Sequence, residues 1–339
     1  MILKERIEAF IQLGLGLKQE DAPEFRSMLE KAESYNPWFS RENILTSIAA
    51  IRDQMLDAHL LQQWLSEYLL NDIKPKKVGL ILAGNIPAVG FHDVLCTLVS
   101  GHYALIKLSD KDKVIIPFLL NQLVQIQPAF AQQFEYVDQL KNIDAVIATG
   151  SDNTGIYFNN YFGKYPNIIR KHRNSIAVLD GNEDKEALKQ LGRDIFQYFG
   201  LGCRNVSKIY IPVDYNIDNL LEALHEYNAI IHHHKYKNNF DYNLAVFLLN
   251  RVKYKNNGCL MMIEDERLTS RIASIHYEYY SDEVDLKEKL NKIIEKVQCI
   301  ASNKPLPGFA TVALGETQRP GLNDYADGID TLAFLTALQ

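Results

Sequence analysis

Val78-Gly79-Leu80-Ile81-Leu82-Ala83-Gly84-Asn85-Ile86-Pro87 is a short apolar run closed by glycine and proline. Such a run, with no alternation of polar residues, is the pattern of a strand buried on both faces of a parallel sheet. Beyond Pro87 the period keeps switching. Residues 86–100 read as a helix, 103–107 as a strand, 114–126 as a helix and 144–148 as a strand ending at Thr149-Gly150-Ser151. A helix over 154–162, a strand over 175–179 and a helix over 183–199 continue the series. Strands alternating with helices of about 10–15 residues are βαβ units, which predicts an α/β fold.

Upstream the texture differs. Phe10, Leu13, Phe25, Met28, Leu29, Ile44, Ile48, Ile51, Met55, Leu60, Leu61, Trp64 and Leu69 recur at helical spacing, until Lys74-Pro75-Lys76-Lys77 breaks the pattern. Downstream the alternation loosens. Strands are expected at 207–211, 259–263 and 272–277, and helices at 217–227, 286–297 and 331–338; the polar stretch 235–243 reads as a mobile loop. This gives three segments: 1–75 helical, 76–182 an α/β domain, and 183–339 a second α/β domain with a C-terminal helix.

Composition narrows the function. Of 339 residues, 47% are hydrophobic and 23% charged, which is the balance of a folded globular chain. Lysine and arginine total 36 against 42 acids, a net charge of −6, so nucleic acid is not an expected partner. No apolar run approaches the ~18 residues of a membrane span. The opening Met1-Ile2-Leu3-Lys4-Glu5-Arg6 lacks the apolar core of a signal peptide. Cys96, Cys203, Cys259 and Cys299 form no Cys-x-x-Cys pair, so a reducing cytoplasm is expected and a zinc ribbon is not.

Familiar fingerprints fail. Gly200-Leu201-Gly202-Cys203-Arg204-Asn205 and Gly14-Leu15-Gly16-Leu17-Lys18-Gln19 each lack the third glycine of a dinucleotide loop, and no Walker loop is present. His232-His233-His234 cannot all reach one ion, because neighbouring side chains diverge; no metal site is expected.

What remains is a set of loops read as lying at strand ends, where open α/β sheets hold their ligands. They are Gly84-Asn85-Ile86-Pro87, Lys107-Leu108-Ser109 and Thr149-Gly150-Ser151, with Phe199-Gly200-Leu201-Gly202-Cys203 beyond, or close to, the helix read over 183–199. Each has a plain structural reading too. Asn85 suits the N-cap of a helix starting at Ile86, Gly150-Ser151 suits a turn and cap, and cysteine is often a small buried hydrophobe. Glycines flanking Cys203 would let a substrate approach the backbone closely, which favours a nucleophile there.

As a set, these stretches resemble the LuxC-type acyl-CoA reductases, a branch of the aldehyde dehydrogenase superfamily. The similarity includes Ile106-Lys107-Leu108-Ser109, Ala148-Thr149-Gly150-Ser151, Arg173-Asn174-Ser175-Ile176-Ala177-Val178-Leu179 and Asp324-Tyr325-Ala326-Asp327-Gly328-Ile329-Asp330-Thr331-Leu332, in the family's order. The resemblance implies an aldehyde dehydrogenase-like fold, with 76–182 a Rossmann-type nicotinamide-binding domain and 183–339 an α/β catalytic domain, and NADPH-dependent reduction of an acyl-CoA or acyl-protein thioester to the aldehyde. It makes Cys203 the nucleophile and Asn85 an oxyanion donor. Lys107 and Ser109 would lie near the adenosine ribose, with Gly150 and Ser151 beneath the phosphates. It also implies an acyl-transferase or synthetase partner and a homo-oligomer. Rival readings are a short-chain acylating aldehyde dehydrogenase and a non-catalytic acyl-binding scaffold. Val178 is expected where hydrolytic members carry their water-activating glutamate, with Asp180 as the nearest substitute base. No role for 324–332 emerges from the sequence beyond capping and core contact.

Overall fold

The structure, a computed structural model, describes every residue except 71, 72, 151 and 339; for residues 152–154, 156 and 159 it gives the backbone element alone. Four helices come first: α1 (Leu3–Gly16), α2 (Pro23–Tyr35), α3 (Arg41–Ala50) and α4 (Ala58–Leu65). Next come β1 (Lys77–Ile81), α5 (Phe91–Val99), β2 (Tyr103–Lys107), α6 (Ile115–Ile126), β3 (Phe134–Tyr136), β4 (Ala145–Thr149), α7 (Asp152–Phe162) and β5 (Asn167–Arg170). The rest comprises β6 (Asn174–Val178), α8 (Lys185–Phe196), β7 (Val206–Pro212), α9 (Ile217–Leu224), α10 (His234–Leu249), β8 (Lys255–Asn256), β9 (Met261–Glu264), β10 (Ser274–Tyr280), α11 (Glu283–Ile293), β11 (Val297–Ala301) and α12 (Thr331–Thr336).

Packing divides the chain into two units, 1–172 with 320–339, and 173–319. This differs from the segments 1–75, 76–182 and 183–339 read from the sequence. The N-terminal helices share one core with the first sheet: Phe10, Leu29, Ile44 and Trp64 pack in the same cluster as Val78, Val94 and Leu119. The strand at 174–178 finds its partners in β7 and β11, later in the chain.

The first unit holds a parallel sheet of order β3-β2-β1-β4-β5. Its C-terminal segment, 320–339, is clamped into it. Trp64 Nε1 donates to the Tyr325 hydroxyl (2.9 Å), and Tyr68 donates to Asp330 (2.8 Å). Because Tyr68 spends its one proton there, Tyr325 is the donor in their 2.7 Å contact. Arg170, buried at the end of β5, pairs with buried Asp93 of α5 and donates to Thr331 at the start of α12 (2.8 Å). The 324–332 stretch therefore fastens α12 to α5 and β5.

The second unit holds a sheet of order β11-β6-β7-β10-β9-β8, parallel except for the β8–β9 pair. The stretch 235–243, read as a loop, lies in helix α10. Its polar residues hide an apolar face: Tyr236, Phe240, Asn243 and Phe247 recur every three to four positions and are buried. No described helix is long and apolar enough to cross a membrane.

Candidate active site

In the first unit, β2, β1 and β4 are neighbours, so Lys107, Gly84-Asn85 and Thr149-Gly150 stand at the carboxyl end of one sheet. Gly84 is required there: a Cβ would come within 2.5 Å of Ser109 Oγ and 2.6 Å of Ser109 Cβ. The loops after β1 and β2 thus close on each other. Ser109 Oγ accepts the Lys111 N–H (3.2 Å), and buried Asp112 accepts from Ala88 N (2.9 Å) and Ile115 N (3.1 Å). That bond holds Ala88 at φ 53°, and Ser47 Oγ donates to the Pro87 carbonyl (2.7 Å). Burial raises the Asp112 carboxyl, and its backbone bonds oppose the rise.

These bonds settle one alternative. Helix α5 begins at Phe91 with Gly90 as its N-cap, so Asn85 does not cap it. Lys107 is exposed at the tip of β2, and Gly150 N donates weakly to the Arg170 carbonyl (3.4 Å). Ser151 lies outside the described residues.

Cys203 belongs to the second unit. Helix α8 is capped by Asp184, whose carboxylate accepts from Ala187 N (2.8 Å), and ends at Phe196. Three consecutive residues then take left-handed backbone: Tyr198 (φ 53°), Phe199 (φ 59°) and Gly200 (φ 73°). Glycine adopts this freely, whereas for aromatic residues it costs about 1–3 kcal/mol each. Asn205, only 3% exposed, holds the distortion. Its Nδ2 donates to the Asp194 (3.0 Å) and Gln197 (2.8 Å) carbonyls, and its Oδ1 accepts from Gly202 N (2.8 Å). The Phe199 ring stacks on His233 at 4.1 Å. Of the histidine triple, His233 also caps α10, its Nδ1 accepting from Tyr236 N (3.4 Å).

Asp194, with no exposed surface, accepts from Gly315 N (2.6 Å), Thr317 N (3.0 Å) and Thr317 Oγ1 (2.7 Å). Burial nonetheless pushes its carboxyl up to about 6. Sequence reasoning missed both Asp194 and Asn205. Asn205 sits two residues past the glycine-flanked cysteine, where an asparagine side chain suits the turn.

Two expectations need correction. Cys203 follows a helix, α8, as read, but it does not stand at the carboxyl end of a strand: it precedes β7, at the amino end of that sheet, beside Ser175 of β6, whose hydroxyl donates to its carbonyl (3.0 Å). Val178 closes the other end of β6, paired with Tyr210. At about 3.3 Å per residue, it lies roughly 10 Å along the strand from Ser175. Val178 and Asp180 instead line a separate cavity of about 640 Å³ with Tyr280, Leu286 and Phe309. Neither side chain stands where a base for the Cys203 thioester would.

The thiols are unequal. Cys96 and Cys259 are fully buried, and burial raises both, Cys259 to about 11; Cys203 and Cys299 are half-buried.

Comparison with known proteins places this arrangement. The long-chain acyl-protein thioester reductase 2 of Photobacterium leiognathi is 25% identical over 67% of this chain and 52% of its own length. The long-chain acyl-protein thioester reductase of Vibrio harveyi is 22% identical over 77% and 60%. The chain thus spans between half and two thirds of these relatives. Among solved structures, aldehyde dehydrogenase 21 from Physcomitrella patens superposes with a TM-score of 0.72 at 13% identity, over 99% of this chain and 84% of that one. An aldehyde dehydrogenase from Bacillus cereus, solved with NAD+, gives 0.66 at 12% identity, over 89% and 72%. The fold is that of the aldehyde dehydrogenases. Residues 15–227, a span that includes Asn85, Lys107, Ser109, Gly150, Ser151 and Cys203, match the family described as acyl-CoA reductase (LuxC), and the chain belongs to that family.

Proposed function

We propose that the protein reduces a long-chain acyl thioester, carried on CoA or on an acyl-protein, to the aldehyde through an acyl-enzyme on Cys203. The observation that carries this is a half-buried cysteine on a strained, hydrogen-bonded loop, inside the stretch matched to the LuxC family. The Cys203 thiolate attacks the thioester carbonyl, a C–S bond forms, and the carrier thiolate leaves. Asn85 is the side-chain donor assigned to the oxyanion, with the Cys203 N–H as the second. After reduction, the thiohemiacetal collapses: the C–S bond breaks, its hydroxyl proton is lost and the Cys203 thiolate returns.

The residues at the carboxyl end of the first sheet suit a nicotinamide nucleotide. Lys107 is an exposed cation at the tip of β2, and Gly84 keeps the neighbouring loop free of side-chain bulk. We assign Lys107 and Ser109 to the adenosine ribose and Gly150 and Ser151 to the phosphates, with NADPH as the nucleotide. When bound, it supplies hydride to the acyl carbon. Four cysteines in thiol form favour a reducing compartment such as the cytoplasm. An acyl-transferase or synthetase partner and homo-oligomerisation complete the reading.

The test mixes the protein with a long-chain acyl-CoA and then adds NADPH. Mass spectrometry should find the acyl group on Cys203, and NADPH should discharge it as aldehyde. In Lys107→Ala, acylation should persist while nucleotide binding weakens. Acylation without any nucleotide binding by the wild type would replace the enzyme with an acyl-binding scaffold. A Cys203 that is never acylated would remove both.

A further inference from the structure

We propose that Cys203 and Cys299 are a redox pair, in which Cys299 captures an oxidised Cys203 as a reversible disulfide. Ser175 joins them. Its hydroxyl oxygen lies 3.0 Å from the Cys203 carbonyl oxygen and 3.0 Å from Cys299 Sγ. Since its single proton goes to the carbonyl, the Cys299 S–H donates to Ser175, giving a continuous chain from the Cys299 thiol to the backbone of Cys203.

The backbone favours movement at this point. β11 is the last strand of the sheet, beside β6; Val312 bridges its outer side at 300–302, and its register slips ahead of that bridge, between Val297 and Ile300, so Gln298 and Cys299 together face Ser175. Such a bulge re-aims a side chain and loosens the local ladder. The register of β7 also shifts beside Ser175, where Val206 and then Lys208 pair with successive residues of β6. Closing a disulfide needs Cα atoms within about 7 Å, and a bulged last strand is a part of a sheet that can adjust to meet that. Electrostatics tie the two thiols as well: burial raises the Cys299 thiol, the charge of Arg204 lowers it, and a charged Cys203 would raise it.

The chemistry balances with a hydroperoxide as oxidant. The Cys203 thiolate attacks the peroxide oxygen, the O–O bond breaks, hydroxide leaves, and the sulfur becomes a sulfenic acid. The Cys299 thiolate then attacks that sulfur, an S–S bond forms, and water leaves with the thiol proton. Overall two thiols lose two electrons and two protons, and hydrogen peroxide becomes two waters. This halts the oxidation ladder before the irreversible sulfinic acid. The inference takes from the proposed function only the reactivity of Cys203. Its test reads masses rather than turnover, so the two can fail separately.

The experiment treats the reduced, desalted chain with a small excess of hydrogen peroxide, alkylates, digests without reductant and maps the peptides. The expected product joins the Cys203 and Cys299 peptides within one chain, two hydrogens short of the separate thiols, and dithiothreitol restores both. Cys299→Ser keeps a partner for Ser175. In that variant most Cys203 should pass to sulfinic acid, and its recovery by dithiothreitol should be largely lost. Wild-type Cys203 reaching sulfinic acid while Cys299 remains alkylatable would overturn the pairing. So would a disulfide linking Cys203 to a second chain.

Discussion

Replacing Asn205 by alanine removes three bonds of 2.8–3.0 Å, leaving behind the Gly202 N–H and the carbonyls of Asp194 and Gln197, and a fourth, long contact of 3.5 Å to the Ile195 carbonyl. An orphaned buried backbone group costs about 1–3 kcal/mol. A cavity of about 70 Å³ already borders Asn205, and a water occupies about 30 Å³, so one or two waters can enter and recover part of that. The expected net loss is about 2–4 kcal/mol. At roughly 1–3 kcal/mol per molar of urea, that moves the unfolding midpoint of the second unit by about 1 M or more. Tyr198 and Phe199 are then released from their left-handed backbone, and the rate at which iodoacetamide alkylates Cys203 should change with them. Asn205→Asp separates hydrogen bonding from packing. It is isosteric and keeps the acceptor for Gly202, but it aims a carboxylate at two carbonyls, so it should be at least as damaging near neutral pH. An Asn205→Ala unfolding free energy within about 0.5 kcal/mol of the wild type, with unchanged alkylation, would refute the argument. So would a benign Asn205→Asp.

Asn85→Ala should lower kcat by about 10²–10³ while nucleotide titration still saturates, as expected of a lost oxyanion donor; an unchanged kcat would remove Asn85 from the mechanism. Asp194, raised to about 6 against an ordinary ~3.9, contributes stability that is full below about pH 4 and lost as pH rises through 6, of order 3 kcal/mol in all. Relative to the wild type, the urea midpoint of Asp194→Asn should therefore move upward between pH 4 and 7; a constant difference would contradict the shift. Tyr325→Phe breaks the relay from Trp64 to Tyr68 and should destabilise the first unit by about 1–3 kcal/mol, measured by hydrogen exchange in α4 and α12.

Regular structure is legible wherever local pattern and tertiary burial agree. β1, β2 and β4 are apolar runs, and the sequence places them at 78–83, 103–107 and 144–148, within two residues at either end. β3 (Phe134–Tyr136) and β5 (Asn167–Arg170) are too short to carry a period, and β11 merges with the helix expected over 286–297. The periodicity of α10 is present at 236, 240, 243 and 247, but Lys237, Asn238, Asn239 and Asp241 between those positions mask it. The division into units is not legible, because a strand's partners are non-local: nothing near 174–178 announces that its neighbours lie at 206–212 and 297–301. The candidate residues can be read from motifs, and the bonds that fix them cannot. Asp112, Asp194 and Asn205 act by accepting from or donating to backbone groups brought close only by folding.

The place of Cys203 sets the sign of the field around it. In the first unit the candidate ligand-binding loops stand at carboxyl ends of parallel strands, the usual arrangement for an open α/β sheet. In the second unit the cysteine lies at an amino end, in the turn that leaves α8. A helix C-terminus carries about half a negative charge on its unsatisfied carbonyls, which disfavours a thiolate nearby. The structure blunts that charge in two ways. The Asn205 amide occupies the carbonyls of Asp194 and Gln197, and the left-handed run from Tyr198 to Gly200 turns the chain out of the helical course before Cys203 is reached. Arg204, next in sequence, supplies positive charge, felt as far as Cys299, where it opposes the effect of burial. A nucleophile in this position depends on the loop's geometry rather than on a helix dipole, and for that reason the buried amide of Asn205 matters as much as the glycines that flank the cysteine.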